Sequence, residues 1–209
     1  MPAASLRGLV PSALTIDEHG GSAWVALTPF WMSDVALRGL PALPGVSSFP
    51  ELNVRTYVRH GDRPGVWFFS LDAASHLAVL FARRLFRLPY VYAHMRVRPM
   101  GARIHYSSRR PTGPGFLATY EPIGPAHRAA PGSLEHFLTE RYCLYAASRS
   151  GELYRADIHH VPWPLQSARV AIAHNELLEV NQLSVRGAPM KHYAKRLDVV
   201  IWPLQAVVR

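Results

Sequence analysis

The stretch ELNVRTYVRHGDRPGVWFFSLD (51–72) decides the fold. Its first eight residues alternate with a period of two, which is typical of a β-strand with two distinct faces. One face carries Leu52, Val54, Thr56 and Val58; the other, the polar face, carries Glu51, Asn53, Arg55 and Tyr57. The turn at 59–65 and the aromatic run at 66–72 then predict an antiparallel hairpin.

One convincing long helix follows the hairpin, from Ser75 to about Leu88. The Ser75 hydroxyl can accept from a free amide at the helix start, and Pro89 prevents the helix from continuing. The apolar stripe is Leu77, Leu80, Phe81, Leu85 and Leu88, and the basic positions are Arg83, Arg84 and Arg87. Amphipathic spacing predicts that the apolar stripe faces the core.

The rest of the chain contains mostly strand patterns. Strand candidates are 22–32, 90–97, 102–108, 115–121, 143–148, 153–160, 169–173 and 196–204, and a shorter helix is predicted at 133–142. Strands that do not alternate regularly with helices predict an α+β domain on an antiparallel sheet, curled into a barrel or a two-layer sandwich. We expect a single domain over 1–209, with 38–50 as a connector.

Composition limits the function classes. The 209-residue chain has a net charge of +9, yet its arginines are scattered and no nucleic-acid motif appears, which argues against nucleic acid binding. No apolar run approaches membrane-spanning length. A single cysteine, Cys143, fits a reducing compartment, so we expect a cytoplasmic protein. A homo-oligomer is left open.

Six segments carry a resemblance to the YqjF-like proteins, a family known as domain of unknown function 2071. They are LPALPGVSSFPELNVRTYV (40–58), PGVWFFSLDA (64–73), RRLFRLPY (83–90), FLTERYCLYA (137–146), LYRADIHHVPWPL (153–165) and HYAKRLDVVIWP (192–203). They occur in the family's order and cover nearly the whole chain. The resemblance implies that an N-terminal strand of the family is missing or shortened here.

A remoter resemblance is to acetoacetate decarboxylase. Its pattern is a pocket glutamate in a strand, a turn, a strand ending in Asp, a helix carrying Arg, and a lysine-bearing junction; here the order is Glu51, the turn, FFSLDA, the helix and RLPYV. The resemblance implies a curled antiparallel barrel with a central cavity. The decarboxylase forms a Schiff base on a junction lysine. Tyr90 and Val91 stand there instead, which argues against that reaction.

Strand alternation defines the candidate site. If Glu51 points inward, Asn53 and Arg55 accompany it. The predicted catalytic residues are Glu51, His94 and Tyr90, and the predicted substrate-binding residues are Asn53, Arg55, Tyr92 and Arg96. Arg55 is suited to binding a carboxylate through two hydrogen bonds. Glu51 or His94 is suited to transferring a proton, and Tyr90 or Tyr92 to donating a hydrogen bond. The alternative is that these residues are the solvated faces of two strands.

Three functions remain open at this point. The first is a barrel that binds a small carboxylate or keto acid, and the second is a lyase or hydratase without cofactor. The third is a structural or protein-interaction module. No nucleotide fingerprint, HExxH or CxxC occurs, and the adjacent His159 and His160 point to opposite sides of a strand. We therefore expect no metal and no cofactor.

Overall fold

A computed structural model describes residues 1–36 and 47–207. The predicted α+β class with a curled antiparallel sheet is confirmed, while most of the predicted connector lies outside the described residues. The strands are β1 (Thr15–Ile16), β2 (Glu18–His19), β3 (Ser22–Ala23), β4 (Val25–Met32), β5 (Phe49–His60), β6 (Arg63–Ala73), β7 (Tyr90–Tyr92), β8 (His94–Met100), β9 (Arg103–Arg109), β10 (Gly115–His127), β11 (Cys143–Ala147), β12 (Leu153–His160), β13 (Leu165–Asn175), β14 (His192–Ala194), β15 (Val199–Ile201) and β16 (Gln205–Ala206). The helices are α1 (His76–Leu85), α2 (Leu134–Thr139) and α3 (Leu177–Val180), with a 3₁₀ helix at Ala3–Leu9.

The strands form two main sheets. The nine-stranded sheet follows the order β1-β5-β6-β11-β12-β15, with β4 also on β5, β7 on β6 and β16 on β12. The five-stranded sheet follows the order β14-β13-β10-β9-β8, and β2 pairs with β3 alone. The predicted hairpin is confirmed, since β5 and β6 pair antiparallel from Glu51 opposite Ala73 to His60 opposite Arg63.

The main core lies between β5 and the five-stranded sheet. Leu52, Val54 and Val58 of β5 are fully buried and belong to one cluster with Tyr106 of β9 and Phe116 of β10. The polar face of β5 is covered too, by a second cluster that includes Tyr57 and side chains of α2. A strand buried on both faces must satisfy its polar groups inside the protein.

The predicted strand 90–97 is two strands that belong to different sheets. Strand β7 pairs parallel with β6, Tyr90 opposite Leu71 and Tyr92 opposite Ala73. The chain then leaves this sheet at the fully buried Ala93, and β8 pairs antiparallel with β9. The residues before and after Ala93 therefore face different surroundings.

Helix α1 starts as predicted, because the Ser75 hydroxyl accepts from the amide of Ala78. The prediction that its apolar stripe faces the core is wrong within the helix, where Leu77 is 52% exposed and Phe81 is 56% exposed; only Leu88 of the stripe, beyond the helix end, is buried. A different face touches the protein, where His76 stacks on Tyr92 at 3.5 Å between ring centroids. On that face Val79 is buried and the Arg83 Nε donates to the carbonyl of Tyr90 at 2.6 Å.

Among the described residues, no helix is both long enough and apolar enough to cross a membrane.

The parallel contact between β6 and β11 predicts a sensitive glycine. A Cβ at Gly65 would lie 2.6 Å from Cys143 Sγ and 2.8 Å from the Cys143 carbonyl oxygen. We expect Gly65→Ala to lower the free energy of unfolding by about 1–3 kcal/mol, because the crowded backbone cannot move freely. Urea denaturation measures this.

The matched control is Gly8→Ala, since a Cβ at Gly8 meets no atom within 4 Å. Its effect should stay within about 0.5 kcal/mol. Equal stability of the two variants would contradict the close approach of β6 and β11.

Candidate functional site

Glu51 lies near the start of β5, between Phe30 of β4 and Ala73 of β6. Its backbone carbonyl accepts a hydrogen bond of 2.6 Å from the hydroxyl of Tyr106, which ties the five-stranded sheet to β5. Its side chain, on the polar face, accepts a hydrogen bond of 2.9 Å from the hydroxyl of Tyr90. The structure thus brings together two of the three predicted catalytic residues.

Burial controls the protonation of Glu51. The residue is only 3% exposed, and among the described residues its carboxyl forms no ion pair with Arg, Lys or His. Loss of hydration penalises the charged form and raises the pKa to about 8, although the hydrogen bond from Tyr90 lowers it in part. Glu51 is therefore mostly protonated at neutral pH.

Three more polar atoms near this face lack partners. The Asn53 Oδ1, the Arg55 Nε and the Trp163 Nε1 atoms are buried and form no hydrogen bond within the described part of the chain. The guanidinium carbon of Arg55 lies 5.9 Å from the ring centroid of Trp163 and also 5.9 Å from that of Tyr57. A buried polar atom without a partner costs about 1–3 kcal/mol, so such a group calls for an explanation.

Asp72 is a second buried carboxyl, on the opposite side of the hairpin. It lies opposite Leu52, is fully buried, and accepts two hydrogen bonds from Arg110, at 2.8 and 3.0 Å. Ser108 donates a third hydrogen bond of 3.2 Å. Burial raises the pKa of Asp72, while Arg110 and Ser108 oppose the shift. This saturated carboxyl joins β6 to β9.

His94 and Arg96 do not lie with Glu51, although the predicted site groups them with it. Both belong to β8, which pairs with β9 after the chain has changed sheets at Ala93. Both are exposed, and both line an open cleft of about 670 Å³ on the five-stranded sheet. Tyr92 lies between the two places: it packs beside Ala73 and its hydroxyl is 3.4 Å from His94 Nδ1.

This cleft, the His94 cleft, also contains residues that sequence reasoning missed, among them Arg109 and His174. A second cleft of about 460 Å³ is lined by Trp67, Phe69 and Arg87. Neither cleft is lined by Glu51, Asn53 or Arg55. The period-two pattern of 103–109 places Arg109 on one face of a strand, but gives no sign that His174 lies beside it.

Comparison with known proteins places the chain in a family. Residues 1–198 match DUF2071, "Uncharacterized conserved protein". The chain belongs to the DUF2071 family. It is 45% identical over 203 residues to "Uncharacterized protein YqjF" of Bacillus subtilis strain 168, covering 96% of this chain and 84% of that protein. The predicted family resemblance is confirmed.

Solved structures with low sequence identity share the fold of this DUF2071 protein. The acetoacetate decarboxylase of Legionella pneumophila matches with a TM-score of 0.69 at 10% identity, covering 99% of this chain and 80% of that one. The enduracididine biosynthesis enzyme MppR, complexed with pyruvate, matches with a TM-score of 0.61 at 12% identity, covering 99% and 82%. The predicted fold resemblance to acetoacetate decarboxylase is confirmed.

Glu51 makes stability depend on pH. Its folded-state pKa, about 8, lies above its ordinary value of 4.5, so the stability it contributes is complete below pH 4.5 and is lost as pH rises towards 8. Over that interval its contribution falls by at most about 1.4 kcal/mol per pH unit. Urea denaturation should therefore show wild type losing stability relative to Glu51→Gln as pH rises.

Tyr90→Phe is the matched variant for this measurement. It removes the hydroxyl that favours the charged carboxylate and so raises the folded-state pKa further; the loss of stability should still begin near pH 4.5 but continue to higher pH than in wild type. A pH dependence that is identical in wild type and Glu51→Gln would show that Glu51 titrates normally in the folded protein.

Proposed function

We propose that this DUF2071 protein binds a small carboxylate or keto acid on the polar face of β5 and does so without a Schiff base. The observation that carries the proposal is a row of polar side chains at alternate positions of β5, Glu51, Asn53 and Arg55, with partnerless buried atoms on Asn53, on Arg55 and on Trp163 beside Arg55. A ligand that pairs with these atoms would remove the cost of burying them unpaired.

The chemistry of the atoms favours an oxyanion with a neighbouring polar group. The Arg55 Nε and the Trp163 Nε1 both carry hydrogens, so both seek an acceptor such as a carboxylate oxygen. The Asn53 Oδ1 seeks a donor, which a hydroxyl or an enol would supply. A protonated Glu51 can donate to a carbonyl oxygen. Together these groups complement a keto or hydroxy acid.

The fold relatives support the same class of ligand. The MppR structure contains pyruvate, a small keto acid, in a protein that shares this fold. The lysine that the decarboxylase resemblance places at the LPYV junction is replaced by Tyr90. Lys191, one of the two lysines of the chain, is exposed and donates to the carbonyl of Val170. The proposal is therefore noncovalent binding.

A cofactor-free lyase or hydratase is the second candidate, and the raised pKa of Glu51 favours it. A carboxyl with a pKa of about 8 is both a competent acid and a competent base near neutral pH. The Tyr90 hydroxyl at 2.9 Å would stabilise the ionised form during proton transfer. His94, predicted as the alternative acid/base, does not lie in the same group.

Ligand binding is tested by thermal unfolding against a panel of small carboxylates and keto acids. A ligand at about 100 times its dissociation constant stabilises the fold by about 2.7 kcal/mol, which raises the Tm by several degrees. We expect pyruvate or a related acid to do so in wild type and to lose the effect in Arg55→Gln.

Arg63→Gln is the control, because Arg63 lies on the same hairpin with a 60% exposed side chain. It should keep the ligand effect. A panel without any shift, in wild type and in a folded Arg55→Gln, would reject the binding site and favour a structural or interaction module. If the protein converts a bound acid to product and Glu51→Gln abolishes this activity, the lyase or hydratase function is favoured.

Noncovalent binding has its own test. Borohydride reduction in the presence of pyruvate should leave the mass of the protein unchanged, because no lysine stands at the junction of 88–91. Intact-mass spectrometry measures this. A mass increase that maps to Lys191 or Lys195 would contradict the proposal.

A further inference from the structure

The solvent face of the five-stranded sheet is strongly basic. The arginines on this basic face are Arg96 and Arg98 of β8, Arg103 and Arg109 of β9, and Arg169 of β13. The carboxylate of Glu121 lies among them, 3.6 Å from Arg103 and 3.6 Å from Arg169. The other three guanidinium groups form no hydrogen bond or ion pair with any described residue.

Two of these free arginines line the His94 cleft, and the sheet register brings them together. Arg109 lies opposite His94, and Arg96 lies opposite Ser107, two residues earlier on β9. Arg96 and Arg109 are therefore diagonal neighbours on one face, about 7–8 Å apart at Cα, within reach of long side chains. Arg98 lies on the same face but does not line the cleft.

The remainder of the cleft combines imidazoles with apolar surface. His94 and His174 line it from two sides, and Gly115 lies between them with no side chain, its Cβ position 3.4 Å from the His174 ring. On this face the apolar surface comes from Leu117, which is 44% exposed, whereas the neighbouring Met95 and Phe116 pack towards the core.

Glu176 is the acidic group at this end of the sheet. It accepts from the amide of Gly115 at 2.8 Å and pairs with His174 at 3.0 Å. These contacts and the charge of Arg109 lower its pKa. Its charge is thus shared with groups of the protein, while Arg96 has no carboxylate partner among the described residues.

We propose that the His94 cleft binds a phosphate monoester with an apolar body, at a site separate from the polar face of β5. A single guanidinium saturates a carboxylate by bidentate pairing, whereas a phosphate dianion has three terminal oxygens to share between two guanidiniums from adjacent strands. Arg96 and Arg109 hold the phosphate, His94 and His174 donate from the sides, and the body of the ester packs on Leu117.

Calorimetric titration with phenyl phosphate tests the site. We expect saturable binding that is tighter than the binding of inorganic phosphate and absent with phenol. Arg96→Gln and Arg109→Gln should each weaken binding about tenfold, or about 1.4 kcal/mol, because each removes a charge-assisted contact. Both side chains are exposed and unpaired, so both variants should keep the wild-type Tm.

Arg98→Gln is the matched control, since it removes the same charge from the same face outside the cleft. Its effect should be less than twofold. If all three variants lose the same affinity for phenyl phosphate, anions are attracted diffusely to the basic face and the proposed site is rejected. The same conclusion follows if a single-stranded oligonucleotide binds as tightly as phenyl phosphate and also depends on Arg98. No saturable binding of phenyl phosphate up to about 10 mM would also overturn the proposal.

Discussion

The covering of β5 on both faces is the constraint on which the rest of the structure depends. Leu52, Val54 and Val58 pack against the five-stranded sheet, and the opposite face is buried by other elements, so the polar residues there cannot be hydrated freely. An ordinary half-solvated strand would carry the same alternation at little cost. Here the alternation places Glu51 in a low-dielectric setting, which is why its carboxyl holds a proton at neutral pH.

The two buried carboxyls on the hairpin, those of Asp72 and Glu51, have different hydrogen-bond partners. Asp72 accepts hydrogen bonds from the guanidinium of Arg110 and the hydroxyl of Ser108. These contacts join β6 to β9, so the role of Asp72 is structural. Glu51 receives a phenol and no cation from the described residues. A cation next to Glu51 would hold its carboxyl ionised, whereas Tyr90 at that place leaves it neutral. Burial therefore remains the larger influence on the acidity of Glu51, and the Tyr90 hydroxyl only partly offsets it.

The sequence predicts those features of the fold that depend on the local alternation of polar and apolar residues. It does not predict where the chain leaves one sheet and pairs with a strand of another. The hairpin, the two faces of β5, the capping of α1 by Ser75 and the family resemblance all follow from the residues themselves. The change of sheet at Ala93 does not, because the alternation in YVYAHMRV continues across it. That one change separates His94 and Arg96 from Glu51, and so divides one predicted site into two places. The partnerless Nε1 of Trp163 was likewise hidden, since the run HHVPWPL indicates only packing.

Helix α1 shows why periodicity alone could not orient the elements around β7. Its leucines form the more regular stripe, yet the contacts that fix it are the stacking of His76 on Tyr92 and the hydrogen bond from Arg83 to the carbonyl of Tyr90. Both contacts are made to β7, the strand that carries Tyr90 to Glu51 and Tyr92 towards His94. Specific polar and aromatic contacts to a three-residue strand thus decide which face of the helix is covered. Because β7 touches the polar face of β5 on one side and the His94 cleft on the other, α1 supports both places at once, and a shift of this strand would alter the Tyr90 hydrogen bond and the cleft together.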